Sequence, residues 1–97
     1  MAGESPNTAI RLPERLTLQE AVQVLDHLNQ ATSRQSGAAV VALDASALQV
    51  FDSSAVAVLL ALRRNLLSKG KRLQVLQRPQ RLNDLVTLYG VDELLPA

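Results

Sequence analysis

Apolar positions along this chain alternate between helical spacing and short continuous runs. From residue 18 to residue 28, apolar side chains recur three and four positions apart, which predicts an amphipathic helix. Thr17 and Glu20 have the spacing of a capping box, so this helix is expected to begin there. Its expected buried face consists of Leu18, Ala21, Val22, Leu25 and Leu28.

Strands are predicted on either side of a second helix. The unbroken apolar run at residues 38–43 is typical of a parallel strand that is covered on both faces. Residues 8–12, closed by Pro13, and residues 73–76 predict two further strands. A helix is expected over residues 55–68, and another is expected to open at Pro79. Gly70 and Gly90 suit the positions just beyond these two helices.

Strands that alternate with helices at these short intervals predict an α/β fold with helices packed on a central sheet. We expect residues 1–7 to be a loose tail and residues 8–97 to form one domain, because 97 residues are the length of a single small domain. Between residues 43 and 55 the pattern predicts a loop. Residues 91–95 fit either a last helical turn or a short strand.

Composition narrows the class of function. The chain has no cysteine, one histidine (His27), and four glycines that are never clustered, so it offers neither the usual metal-ligand spacings nor a phosphate-binding loop. The longest apolar run, residues 55–62, is far shorter than the roughly 20 residues of a membrane-spanning helix. These features favour a cytoplasmic binding module that needs no metal or cofactor over an enzyme.

One polar cluster stands directly before the second helix. Asp52, Ser53 and Ser54 are all good capping residues, and they could have that structural role alone. A helix N-terminus also presents unpaired N–H groups and a partial positive charge, which suit a phosphate or the acceptor groups of a partner. Both interpretations remain open from these residues alone.

The second helix has an unusually wide apolar face. At about 100° per residue, its aliphatic side chains cover an arc of roughly 200°, more than one sheet contact needs. In so short a chain, part of this arc is expected to stay exposed and to meet a partner. The expected docking face consists of Val56, Leu60, Arg63 and Leu67. A helix that is simply tilted into its own core is the alternative.

Basic residues are concentrated in the second half of the chain. Seven of the ten basic residues lie between positions 63 and 81, and no acidic residue occurs between Asp52 and Asp84. This half could face an acidic partner or anionic headgroups, or it could be an ordinary solvated surface. Nucleic-acid binding is not expected, because Phe51 and Tyr89 are the only aromatic residues that could stack on bases.

The segment VVALDASALQVFDSSAVAVLLALRR resembles the signature region of STAS domains, which occur in sulfate transporters and anti-sigma-factor antagonists. An apolar strand ends at Asp44, Asp52 follows eight positions later, and the Asp-Ser-Ser turn leads directly into an aliphatic helix. The downstream strand, Pro79 and the Leu-Tyr-Gly-Val segment ending at Val91 also resemble the family. The likeness spans roughly residues 16–95 and is most specific at the Asp-Ser-Ser turn.

Two positions depart from the family pattern. Ala55 stands where the family usually has glycine, and only some fifteen residues precede the first helix, where the family commonly has a two-stranded hairpin. The resemblance therefore implies a small STAS-like fold with a mixed sheet of about three to five strands, the first of them missing or very short.

Among STAS domains, the chain is most similar to the MlaB-like subunits of bacterial phospholipid-transport ABC systems, which maintain outer-membrane lipid asymmetry. The resemblance implies a non-catalytic accessory subunit that binds the cytoplasmic ATPase and meets the inner membrane only through that complex. Ser53 matches the Ser or Thr that is phosphorylated in anti-sigma-factor antagonists and contacts the partner in transporter subunits. A phosphorylation-regulated antagonist that binds an anti-sigma kinase is therefore the alternative.

The residues also bear on two other possibilities, a hydrolase activity and a homodimer. A minimal hydrolase using Ser53 or Ser54 is disfavoured, because no base is placed beside them in the sequence pattern and His27 is expected on the flank of the first helix. A homodimer of the isolated domain, formed through the exposed strip on the second helix, remains open.

Overall fold

A computed structural model describes residues 9–34 and 39–95. The expected tail at residues 1–7, the strand end at Thr8 and the strand start at Ala38 lie outside the described residues. In chain order, the elements are β1 (Ile10–Arg11), β2 (Arg15–Leu16), α1 (Ala21–Ser33), β3 (Val40–Asp44), β4 (Val50–Phe51), α2 (Ser53–Ser68), β5 (Arg72–Leu76) and α3 (Gln80–Leu88).

Strand β3 is the centre of a three-stranded sheet with β1 on one side and β5 on the other. Both pairings are parallel, with Ile10 opposite Leu43 and Val41 opposite Leu73. Strands β2 and β4 form a second parallel pair of two residues each. The predicted α/β class is confirmed, and the strand expected to be missing or very short is represented by two-residue strands before α1. The ladders described are all parallel, whereas a mixed sheet was expected.

Strand β4 falls in the segment that was predicted to be a loop. Two residues cannot show the alternation that identifies a strand, so only the tertiary structure reveals its pairing with β2. The pairing brings Leu16 opposite Phe51, and both side chains are buried. This small ladder therefore fixes the chain immediately before α2.

The core lies between the three-stranded sheet and the helices. Val41 and Leu43 of β3 and Val75 of β5 are buried, and they belong to the same cluster as the inward-facing side chains of α2. On α2 these inward-facing residues are Ala55, Val56, Val58, Leu59, Leu62 and Leu66. Helix α2 packs against α1, β5 and α3, which makes it the central helix of the molecule.

The expectation that β3 is covered on both faces is wrong for the described residues. Val40 is 46% exposed and Ala42 is partly exposed, because these side chains point away from the helices. Together with Gln74 and Leu76 they line a shallow depression of about 460 Å³ on the open face of the sheet.

Helix α1 begins three residues later than its capping-box pattern predicts, with Glu20 rather than Thr17 as the N-cap, and its buried face is displaced. Leu18 lies in the turn before the helix, at 76% exposure, and Val22 is 81% exposed, so both are corrections to the predicted core. The buried positions are Leu28 and Thr32. Val22 precedes Leu28 by six residues, which places it about 120° away around the helix.

Both predicted helix ends are confirmed. Gly70 has φ +75° just beyond α2, and Gly90 has φ +67° just beyond α3, so each adopts the left-handed conformation that glycine tolerates best. Residues 91–95 form a helical turn in which the amides of Leu94 and Leu95 donate to the Val91 carbonyl at 3.0 Å.

Candidate functional site

Asp52 is the N-cap of α2. Its backbone is extended, and its Oδ1 atom accepts a hydrogen bond from the Ser54 N–H at 2.8 Å. This bond satisfies one of the amide groups left free in the first turn and lowers the pKa of the Asp52 carboxyl. Ser53 is therefore the first residue of the helix, and its side chain is exposed.

The chain before Asp52 is anchored by aromatic packing. Phe51 is 4% exposed, and the Arg81 guanidinium carbon lies 5.1 Å from the centroid of its ring. Since Arg81 belongs to α3, this cation–π contact connects α3 to the start of α2. The anchor and the β2–β4 ladder hold the Asp-Ser-Ser turn at a fixed place on the molecule.

The turn at residues 17–20, which precedes α1, lies next to the Asp-Ser-Ser turn. The Thr17 N–H and hydroxyl both donate to Glu20 Oε1, at 2.9 and 2.6 Å, and the hydroxyl bond is the main cause that lowers the pKa of Glu20. Within this turn, the Leu18 N–H donates to Asp52 Oδ2 at 3.4 Å. The exposed Leu18 side chain therefore lies beside the Asp-Ser-Ser turn.

A groove runs along one side of the first two turns of α2. Ser53, Val56, Ala57, Leu60 and Tyr89 line it, and its volume is about 260 Å³. Val56 is only 4% exposed and forms the floor, whereas Tyr89, just beyond α3, is 53% exposed at the rim. Ser53 is the polar end of this otherwise largely apolar groove.

A second groove lies on the other side of α2, against α1. It also has a volume of about 260 Å³, and its lining is entirely apolar: Ala21, Val22, Leu25, Ala57, Val58 and Ala61. Ala57 lines both grooves and is exposed, so it forms the ridge between them. The two grooves are therefore parts of one apolar surface that begins at the Asp-Ser-Ser turn. We call it the Ser53 surface: Leu18, Val22, Ser53, Ala57, Leu60 and Tyr89.

The four residues of the docking face predicted from the sequence lie in different surroundings in the structure. Val56 is 4% exposed, so it is buried rather than exposed, at the floor of the groove that Tyr89 borders. Leu60 is partly exposed and lines the same groove as Ser53. Arg63 and Leu67 line a different depression, next to the C-terminal turn.

Sequence reasoning missed Leu18, Val22, Ala57 and Tyr89. Leu18 was assigned to the core because the predicted helix began too early, and Ala57 is too small to attract notice on a helical wheel. Val22 was grouped with the buried face although it lies about 120° around the helix from Leu28, an angle that the sequence alone gives. Tyr89 follows α3 at a position where only the packing of α3 on α2 brings it near Ser53.

The part of the chain that the structure describes offers no support for a catalytic base beside Ser53, a metal site or a membrane-spanning helix. His27 lines a depression with Arg11 and Pro13, separate from the groove that Ser53 lines. The described residues contain no group of three or more His, Cys, Asp or Glu side chains placed to hold a metal ion. Among the described helices, none is long and apolar enough to cross a membrane.

The α/β architecture, the strand-to-helix turn at Asp52 and the aliphatic helix that follows it are consistent with a STAS-like fold. The sequence model of the family described as MlaB, STAS domain, matches residues 2–96. The chain therefore belongs to the MlaB-type STAS family. A search of curated proteins finds no match. STAS domains are generally non-enzymatic modules that mediate protein–protein interactions.

Proposed function

We propose that this chain is a non-catalytic accessory subunit that binds the cytoplasmic ATPase of a phospholipid-transport ABC complex and supports its activity. The observation that carries the proposal is the Ser53 surface. Three of its side chains, Leu18, Val22 and Tyr89, are 76%, 81% and 53% exposed, around a helix N-terminus with an exposed serine. Exposed apolar side chains grouped in this way are typical of protein-interaction sites.

The preorganisation of this surface supports a role in binding. The Leu18–Asp52 hydrogen bond joins the α1 side to the α2 side, and the Arg81–Phe51 contact joins α3 to the same turn. A partner would therefore meet side chains on three elements that are already held in place, which reduces the entropy lost on association. Membership of the MlaB-type family supports the ATPase as that partner and the cytoplasm as the location.

Co-expression with the ATPase of a phospholipid-transport ABC system from the same organism tests the proposal. We expect Ala57→Glu and Val22→Asp each to weaken the complex by about 2 kcal/mol or more, roughly thirtyfold in Kd, because each places a charge at the centre of the apolar surface. Ser53→Arg and Leu60→Asp are expected to act in the same direction. Affinity is measured by titration, and circular dichroism checks that each variant is folded.

Two substitutions provide matched controls. Gln23→Asp places the same charge on α1 beside Val22, and Gln30→Arg places the same bulk as Ser53→Arg farther along α1; both positions are exposed. Binding within about twofold of wild type is expected for both, since most interface energy comes from a few central residues. Full affinity in Ala57→Glu and Val22→Asp would rule out the Ser53 surface as the docking site.

The second candidate is a phosphorylation-regulated antagonist of an anti-sigma kinase. It is favoured by the exposure of Ser53 at the first position of a 16-residue helix, where backbone N–H groups and the helix dipole stabilise a phosphate. Affinity purification from the native cell separates the two candidates. Recovery of a transporter ATPase supports the accessory subunit, whereas recovery of a kinase, with a phosphate on Ser53, supports the antagonist.

A further inference from the structure

The C-terminal end of α2 and the strand that follows it are rich in basic residues. Five of the ten basic residues of the chain lie between positions 63 and 72, and the chain has no acidic residue from position 53 to position 83. Helix α2 runs from Ser53 to Ser68, so along its axis Arg63 lies about 15 Å and Ser68 about 22 Å from Ser53.

Tertiary structure brings these basic residues together with exposed leucines. Arg63 and Arg72 line one depression of about 160 Å³, and Leu67, Leu73, Glu93 and Leu94 complete its wall. Leu67 is 45% exposed and Leu94 is 41% exposed, so two large apolar side chains reach solvent at the depression that the two arginines also line.

Two further basic residues are close in sequence to the residues that line this depression. Arg64 is exposed one helical turn before Leu67, and Lys69 is exposed at the C-cap of α2. We call this the basic end: Arg63, Arg64, Leu67, Lys69, Arg72 and Leu94. Lys71 is left out of the set, because it already has an interaction within the chain.

Half-exposed apolar side chains surrounded by Lys and Arg are what a protein needs to bind the interface of an anionic membrane. The apolar groups enter the headgroup layer, while the cations meet the lipid phosphates. Each basic residue near such a surface strengthens binding roughly fivefold. Glu93 lies in the same depression and opposes this attraction, but four cations outnumber it.

Nucleic acid fits this surface less well. Single-stranded binding uses aromatic side chains as stacking platforms. Of the two aromatic residues, Phe51 is buried beneath Arg81 and Tyr89 belongs to the Ser53 surface, at the other end of α2. The apolar residues at the basic end are aliphatic, and aliphatic side chains suit acyl chains rather than bases.

We propose that the basic end contacts the anionic headgroups of a phospholipid bilayer directly, as a weak and salt-dependent second interaction surface. The sequence alone implied membrane contact only through a partner complex. The proposal does not depend on the partner at the Ser53 surface, because it uses none of the residues of that surface.

Vesicle flotation of the full chain tests this proposal. The protein is mixed with vesicles of phosphatidylcholine alone, or of phosphatidylcholine and phosphatidylglycerol in equal parts, at low ionic strength. We expect binding to the vesicles that contain phosphatidylglycerol, and loss of that binding in about 1 M salt, where the Debye length falls to about 3 Å. No binding at low salt, or equal binding to both kinds of vesicle, would overturn the proposal.

Matched variants show whether the basic end is responsible for binding to the anionic vesicles. We expect the double variant Arg63→Glu/Arg64→Glu to bind at least tenfold more weakly, and Leu67→Asn to bind several-fold more weakly. The control Arg11→Glu/Arg15→Glu changes the net charge by the same amount at exposed positions near the other end of the sheet. It is expected to stay within twofold of wild type, and an equal loss in this control would assign the effect to net charge alone and reject the proposed surface.

Discussion

Asp52 combines two structural roles in one side chain. Its Oδ1 atom caps α2 through Ser54, and its Oδ2 atom accepts the Leu18 N–H from the turn before α1. A single carboxylate therefore fixes the position of Ser53 and holds the α1 side of the Ser53 surface against it. Asparagine can replace the capping oxygen, but it does not carry the negative charge that favours a helix N-terminus.

The state of this carboxyl makes stability depend on pH. The pKa of Asp52 in the folded chain is lowered, mainly by the Ser54 N–H, so its stabilising contribution is full above the unfolded pKa of about 4 and is lost as pH falls through the folded pKa. We predict that Asp52→Asn loses less stability than wild type when pH is lowered from about 5 towards 3. Urea unfolding at a series of pH values measures this.

Asp26→Asn is the control for this prediction, because Asp26 is exposed in the middle of α1 and caps no helix. Glu20 and Asp44 also have lowered pKa values, the first from the Thr17 hydroxyl and the second from the Ser46 N–H, so acid sensitivity should be reduced in Asp52→Asn but not abolished. Identical pH profiles for wild type and Asp52→Asn would contradict the role given to this carboxyl.

At the scale of elements, α2 shows how one helix serves both the core and the surface. Part of its wide apolar arc is exposed, at Leu60 and Leu67, whereas Val56 of the predicted docking face is buried. A helical wheel shows which residues share a face; it does not show which neighbours cover that face.

We predict a sharp contrast between two leucines of α2. Leu62 is fully buried, so Leu62→Ala should lower the free energy of unfolding by about 2–5 kcal/mol through lost burial and a residual cavity. Leu67→Ala, at 45% exposure, should cost about 1 kcal/mol or less. Chemical denaturation measures both, and similar losses for the two variants would mean that α2 is rotated relative to the described structure.

Element α1 shows why the rest of the site was not predicted. Thr17 and Glu20 do interact as a capping pair would, but in a turn that precedes the helix rather than inside its first turn. The same four residues are compatible with both arrangements locally. The choice depends on contacts with Asp52, 34 positions away from Leu18, which no local pattern encodes.

At the scale of the whole molecule, the C-terminal turn closes the core. Leu95 is 3% exposed, and the Arg78 side chain fixes its backbone by donating from Nη1 to the Leu95 carbonyl and from Nε to Asn83 Oδ1, both at 2.7 Å. This arrangement also sets the place of Leu94 at the basic end. Arg78 is partly buried, and this burial lowers its pKa.

We predict that Arg78→Lys loosens this turn without unfolding the domain, because lysine cannot reproduce the two directed bonds of the guanidinium group. Amide exchange of Leu94 and Leu95 should accelerate, while the amides of β3 remain protected. Hydrogen exchange followed by mass spectrometry or NMR measures the difference. Unchanged exchange at Leu95, or an equal acceleration across β3, would contradict the conclusion that Arg78 stabilises the C-terminal turn locally.

The fold class, the order of the longer elements and the family followed from the sequence because each rests on a pattern contained within some fifteen residues or in the Asp-Ser-Ser segment. Three features could not be predicted from the sequence: the two-residue strands, the open face of β3 and the separation of the predicted docking face into two sites. Each of these depends on which distant segment packs against a residue, as Tyr89 does beside Ser53.

The parallel pairing of β2 with β4 has a consequence for folding. Arg15 pairs with Val50 and Leu16 with Phe51, across 35 positions of sequence, and parallel strands need a crossover before they can meet. Contacts of such long range slow the folding of a chain. The Asp-Ser-Ser turn is held in place only when this ladder is formed, so a partner that recognises the surface around Ser53 distinguishes folded chains from incomplete ones.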